Sequence, residues 1–251
     1  METQPEPLLK FNLGGNAKLS KEIVTFSLPS GYSCPGASEC LAKADMETGK
    51  ITDGPGQKYR CFAASSESRF PSVRAQRWHN FILLREAKTK EAIYKLIVDS
   101  FPRGATIMRI HVGGDFYSQA YFDAWADVAK RFYNCVFYAY TKSIHFVKAH
   151  KDPLPDNFRI TLSKGSKFDH LINELDQTEE EGGMQYGIAE VLSHPEDAED
   201  KGLEVDHDDS HAIAGKTHFA LLVHSTQPAG SQAAEDVKRM KREGVKFSYP
   251  S

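Results

Sequence analysis

A chain of 251 residues, 40% hydrophobic and 26% charged, can bury a large core, and this composition excludes the disordered and fibrous classes. A formal net charge of -3 argues against a generally basic surface of the kind that coats nucleic acid, while leaving room for a local basic patch. No run of about 18 apolar residues occurs, which predicts no membrane-spanning helix.

The start, METQPEPLLKFNLGG, lacks the basic and apolar stretches of a secretory signal, so a cytoplasmic location is expected. Residues 1–16 read as a flexible arm, and 17–251 as a single α/β domain. The first strand is predicted at Ile23–Leu28, rich in β-branched and aromatic residues and closed by Pro29-Ser30-Gly31. Residues 31–70 then read as a long loop rich in Gly, Pro and Ser that holds three of the four cysteines. A loop of that length in a compact domain implies function, a cross-link or disorder.

Pro71 and Ser72 suit a helix start, and Val73, Trp78, Phe81, Ile82 and Leu84 supply its apolar face. Ile93, Leu96 and Ile97 continue the periodicity to about Asp99 as a candidate separate helix. Thr106–Val112 reads as a strand, and Ser118 caps a helix whose apolar positions run from Tyr121 to Phe132. Strands follow at Cys135–Tyr140, Phe158–Leu162, Gly187–Leu192 and His218–His224. Helices are predicted at Ser143–Ala149, Lys167–Leu175 and from about Gln232 to Arg242, with an acidic loop at Glu179–Glu181 before Gly182-Gly183.

Strands alternating with helices imply right-handed crossovers and parallel pairing. About six such units predict an incomplete or curved (β/α) barrel, with an open doubly wound parallel sheet as the alternative. Either form gathers ligands at the strand carboxyl ends. There the sequence delivers Gly113-Gly114-Asp115, Thr141-Lys142-Ser143, Ser163-Lys164-Gly165 and His224-Ser225-Thr226-Gln227. Glycines allow close backbone approach and their amides donate to anions, while Asp115 offers an acceptor to an ammonium or hydroxyl. A tight turn capped by Asp is the structural alternative.

Cys34 and Cys40 are separated by five residues, and Cys61 follows after twenty more. Thiolates bind zinc or iron, and three on one loop converge readily on an ion or cluster, with a histidine such as His79 or a small molecule as the remaining ligand. Cys135 opens a strand and reads as a core residue. Asp206-His207-Asp208-Asp209-Ser210-His211 is either a metal or acid/base cluster or a solvated turn. Lys58, Arg60, Arg69, Arg74 and Arg77, interleaved with Tyr59, Phe62, Phe70 and Trp78, form a basic stretch that suits phosphates or nucleic acid. Its alternative is a solvated helix face.

The segments SCPGASEC, RCFAASSESRFPSVRAQRWHN, IMRIHVGGDFYSQAYFDAW, VFYAYTKS, VDHDDSHA and FALLVHSTQPAGS resemble the phage "gene product 88" family over roughly Cys34 to Ser231. In outline that pattern is similar to radical S-adenosylmethionine proteins, which use a partial α/β barrel. There a CxxxCxxC loop after the first strand holds three ligands of a four-iron cluster, and a Gly-Gly-Glu-type turn after the second strand binds the methionine amine. The resemblance implies Cys34, Cys40 and Cys61 as ligands of a 4Fe-4S cluster and Gly113, Gly114 and Asp115 as cosubstrate residues. The cysteine spacing here is wider than CxxxCxxC, Lys43 to Lys58 is inserted, and Asp115 replaces Glu.

The leading expectation is thus an iron–sulfur protein of phage or mobile-element type, in host cytoplasm. As an enzyme it would be a radical S-adenosylmethionine-like oxidoreductase or lyase acting on a small molecule or nucleotide. Thr141 joins the cofactor residues, and His111, Lys142, Lys164 and His224 are the candidate catalytic groups. A zinc-binding enzyme or zinc-stabilised fold is the second reading. A nucleic-acid-binding protein using residues 58–77 is the third.

Overall fold

The computed structural model describes residues 7–14, 20–176, 186–215 and 217–246. Seven strands form one parallel sheet: β1 (Ile23–Phe26), β4 (Ile107–Ile110), β5 (Val136–Thr141), β6 (Phe158–Ser163), β7 (Gly187–Leu192), β8 (Glu204–Val205) and β9 (His218–Leu222). Their order is β1-β4-β5-β6-β7-β9-β8. The sheet is open, with β1 and β8 as its edges, so the barrel does not close. Nor is the sheet doubly wound in the usual sense: it advances in one direction through β7 and reverses only where β8 lies outside β9.

Right-handed crossovers advancing one way leave their helices on one face. That face carries Val24, Phe26, Met108, Ile110, Phe137, Ala139, Ile160 and Ile188. Against it pack α2 (Pro71–Ala87), α3 (Lys90–Ser100), α4 (Gln119–Arg131), α5 (Ile144–Ala149) and α6 (His170–Asp176). Helix α4 contributes most, burying Tyr121, Phe122, Trp125 and Val128 along one stripe. Its start is fixed by Ser118, whose hydroxyl accepts from the Tyr121 amide, and Thr89 does the same for α3. Leu222 and Val223, at and just beyond the end of β9, lie under Ala233, Val237 and Met240 of α9 (Gln232–Arg242). The other face presents Ile23, Tyr138, Ala189 and Phe219, and Ala212 of α8 (Ser210–Ala214) covers it.

The stretch predicted as loop between β1 and α2 is largely ordered. It contains an antiparallel hairpin, β2 (Lys43–Ala44) with β3 (Ile51–Thr52), and a helix, α1 (Phe62–Arg69). The predicted amino-terminal arm also departs from expectation over residues 7–14. Leu9 is buried, its amide donates to Ser100 Oγ, and Asn12 bridges Thr25 at the β1 edge. Residues 1–6, 15 and 16 of that arm and the acidic loop at Glu179–Glu181 with Gly182-Gly183 lie outside the described residues. Among the described residues no helix is long and apolar enough to cross a membrane.

Candidate functional site

Cys34, Cys40 and Cys61 line one cavity of about 170 Å³, and so do Gly113, Gly114 and Asp115. The cavity sits over the carboxyl ends of β4, β5 and β9, with Arg109, Tyr140, Thr141, Lys142 and His224 also in its wall. All four cysteines are free thiols. Burial pushes the Cys34 thiol well above its usual value, with the nearby Asp115 charge adding to it. Burial and the charge of Cys61 push Cys40 up to about 12. Burial also raises Cys61, while the backbone amides of Ala63 and Ala64 at the start of α1 act to lower it. The Gly31 amide donates to Cys34 Sγ at 3.3 Å. Among the described residues no group of three or more His, Cys, Asp or Glu side chains is disposed, as it stands, to hold a metal ion.

The Gly113-Gly114-Asp115 turn follows β4, but its glycines answer first to their own chain. A Cβ on Gly113 would lie 2.5 Å from Arg77 Nη1 and 3.0 Å from the Ala63 Cβ. On Gly114, whose φ is +85°, it would lie 2.6 Å from Ser33 Oγ. Asp115 is buried and takes hydrogen bonds from the Phe116 amide (2.7 Å), Thr141 Oγ1 (2.6 Å) and the Lys142 amide (2.9 Å). It therefore orders the β5 exit as well as facing the cavity. Burial raises its pKa to about 6 against the lowering effect of those donors. Thr141 is equally committed, donating to Asp115 and accepting from the Ser143 amide at 2.9 Å.

The proposed catalytic residues separate. Strand alternation would put His111 on the face of Arg109, but its φ of +70° breaks the alternation. Its ring lies among Phe26, Phe116 and Tyr121, with Nε2 2.9 Å from the Tyr121 hydroxyl. Burial lowers its pKa to about 3, so at neutral pH the imidazole is uncharged, and it also forms part of the cavity wall. Lys142 is buried in the cavity wall, its ammonium on the Lys164 carbonyl. Lys164 stands outside this cavity, paired with Glu190 at 3.1 Å. His224 stays in the wall, 5.1 Å from the Phe62 ring, with Nδ1 2.7 Å from Ser225 Oγ. His79 is not in the wall; its Nε2 lies 2.9 Å from the Leu8 carbonyl.

Within the Asp206–His211 cluster, Asp209 has a structural role. Asp209 projects into the sheet, where Arg109 Nη1 (2.5 Å), the Tyr138 hydroxyl (2.9 Å) and the Tyr140 hydroxyl (3.1 Å) converge on its carboxylate. The basic stretch is likewise largely committed. Arg77 pairs with the buried Glu67 at 2.6 Å, Arg74 donates to the Met46, Glu47 and Glu67 carbonyls, Arg60 pairs with Asp53 at 2.5 Å, and Lys58 pairs with Glu39. Arg69 remains exposed, over the Phe70 ring. Cys135 is a buried core residue, as its position predicts.

A family model described as Gene product 88 matches residues 7–243. The chain belongs to the Gene product 88 family. It is 32% identical over 139 residues to the Gene 88 protein of Mycobacterium phage D29, covering 51% of each chain, and 31% identical over 139 residues to that of Mycobacterium phage L5, again covering 51% of each. The chain thus spans about half the length of the curated relatives it matches. No solved structure matches it.

Two features of this Gene product 88 chain escape sequence reading. Gln227, buried behind the cavity, mimics a strand neighbour: its Oε1 accepts from the Arg60 amide at 2.7 Å, and its Nε2 donates to the Arg60 and His224 carbonyls. It thereby ties the β9 exit to the residue before Cys61. The second is the Glu67–Arg77 pair, with Ser30 donating to Glu67 Oε1 from both amide (2.9 Å) and hydroxyl (2.6 Å). It joins the cysteine segment to α1, α2 and the Gly113 turn. Gln227 looked like any polar loop residue, and the pairing of Arg77 with a residue ten positions earlier crosses a helix break.

Proposed function

We propose that this protein carries an iron–sulfur cluster on Cys34, Cys40 and Cys61, and that the adjoining cavity beside Gly113-Gly114-Asp115 takes a cosubstrate of the S-adenosylmethionine class. The observation that carries the reading is the convergence of three free thiols of the segment 34–61 on the wall that holds this turn, which follows a different strand. The Gly31 amide, which donates to Cys34 Sγ, is the kind of donor that tunes thiolate ligands of such clusters. Burial disfavours the bare thiolates, so ligation to a cation is what makes their ionised form stable here. The side chains must turn further inward to bind, since no three of them stand at a single ion's spacing among the described residues. A cluster of several irons, taking its thiolates around a wider perimeter than one zinc ion, asks less of that movement.

Bound there, the cluster would supply one-electron chemistry. The chain's own part is to hold it dry: Gln227 fixes the segment before Cys61, and Asp115 with Thr141 fixes the floor at β5. With relatives encoded by phages, we place the protein in the host cytoplasm. Anaerobic purification tests the reading. It predicts a brown protein absorbing near ~400 nm through thiolate–iron charge transfer, with iron and sulfide lost in Cys61→Ala and kept in Cys135→Ala. A colourless, iron-free preparation, or stoichiometric zinc in place of iron, would contradict it.

A further inference from the structure

A second, larger cavity of about 570 Å³ opens beside the first at the ends of β6, β7 and β9. The two share Tyr59, Val191 and Val223 as a common wall. Their linings differ in kind. The first exposes mostly apolar surface between its thiols and a few polar groups such as Arg109, Asp115, Lys142 and His224, whereas the second is ringed by charged and polar side chains.

Its lining is net acidic, with four carboxylates, Glu39, Asp169, Glu190 and Asp236, against two lysines, Lys58 and Lys164, but each carboxylate already has a donor. Lys164 pairs with Glu190 at 3.1 Å, Lys201 approaches the other Glu190 oxygen, and Lys58 pairs with Glu39. Asp169 accepts from the Gly165 and Ser166 amides, both at 2.9 Å, and Asp236 accepts from Gln232 Nε2 at 2.8 Å. Lys58, Lys201 and the acids' outer oxygens meet solvent, so the pairs are loose enough to admit a third partner.

An anion would meet a net acidic lining, and a cation would have to compete with the ammonium and amide donors that already hold these carboxylates. A hydroxyl need not, because it donates to a carboxylate and accepts from the neighbouring ammonium at once. Two adjacent hydroxyls match a Lys–Glu pair as a ring of donors and acceptors. Tyr59 adds an aromatic face at the boundary of the two cavities.

We propose that the second cavity binds a neutral polyhydroxyl group, a sugar or the ribose of a nucleoside, recognised by the Lys164–Glu190 and Lys58–Glu39 pairs. Its use as the substrate chamber beside the cosubstrate rests on the function proposed above; the binding itself does not. The shared wall would let the hydroxyl-bearing molecule reach past Tyr59 toward the first cavity.

Ligand-observed NMR on the full chain tests this with adenosine, 2′-deoxyadenosine, methyl glucoside, spermidine and inorganic phosphate as probes. Saturation transfer to adenosine or methyl glucoside, above that to the deoxy and charged probes, is the expected result, and the stronger of the two identifies the source. Glu190→Gln should weaken it about tenfold, the worth of one hydrogen bond to a charged group. Ser193→Trp, at an exposed position in the cavity wall, should block it by filling space, so the two variants test the site by different routes. Transfer to 2′-deoxyadenosine equal to that of the stronger diol probe, tighter binding of spermidine or phosphate, or no transfer to any diol overturns the proposal. The same titration on Cys61→Ala keeps the two claims apart. Diol binding without iron in the wild-type chain would leave this site standing and remove the cluster, while iron without diol binding would do the reverse.

Discussion

Asp209 sits in the sheet interior because Arg109, Tyr138 and Tyr140 all donate to it there, while Asp208 next to it is exposed. Removing one partner of a buried ion pair strands the other charge, so Asp209→Ala should lose about 3–5 kcal/mol in urea unfolding. Asp208→Ala should lose about 1 kcal/mol, one exposed turn hydrogen bond. The sequence could not separate these two, since a run of Asp and His looks alike whether it faces solvent or Arg109 across a hundred residues. His111 makes a pH prediction. Its folded pKa of about 3 lies below an unfolded value of about 6.5. Protonation therefore favours the unfolded chain: this group's contribution is complete above about pH 6.5 and is lost as pH falls toward 3. Between pH 6 and 4 the stability of His111→Gln should fall less steeply than that of the wild type, by about 1 kcal/mol per pH unit. Equal slopes would show that the ring charges in place.

At the scale of elements, the six longer strands were legible because β-branched and aromatic runs end in turn residues. Gly187–Leu192 has the predicted bounds, and the others shift by a few residues at their ends. Ser118 capped its helix as expected. Helix α1 was not legible: FAASSESR has few apolar positions and several serines, so its helicity depends on Glu67 meeting Arg77 rather than on its own propensity. The cysteine segment also closes on β5 at a place no pattern reveals. A Cβ on Gly36 would fall 1.9 Å from the Lys142 carbonyl oxygen. Gly36→Ala should push the segment off the sheet at a cost of about 1–3 kcal/mol. Mass-spectrometric mapping should then show faster alkylation of Cys34 and Cys40, with Cys135 unchanged. Unaltered rates would mean that the segment does not depend on this contact.

Across the whole molecule, the one-way winding puts the β1 and β4 exits side by side, since β1 pairs with β4 along its length. That adjacency is why the cysteine segment and the Gly113 turn meet. What the sequence left open was the division of labour around the cavity. Lys164 stands at a strand end as predicted yet turns away from the thiols to pair with Glu190, while His111 packs its ring on Tyr121 and Phe116 at the inner edge of the cavity. Lys142, His224 and that edge of His111 stay with the thiols. The central claim is that those thiols hold iron, and iron and acid-labile sulfide measured in the anaerobically purified chain test it most directly. The account predicts both in the wild type and in Cys135→Ala, and their loss in each of Cys34→Ala, Cys40→Ala and Cys61→Ala. Iron absent from the wild type, or retained undiminished in all three cavity variants, would contradict it.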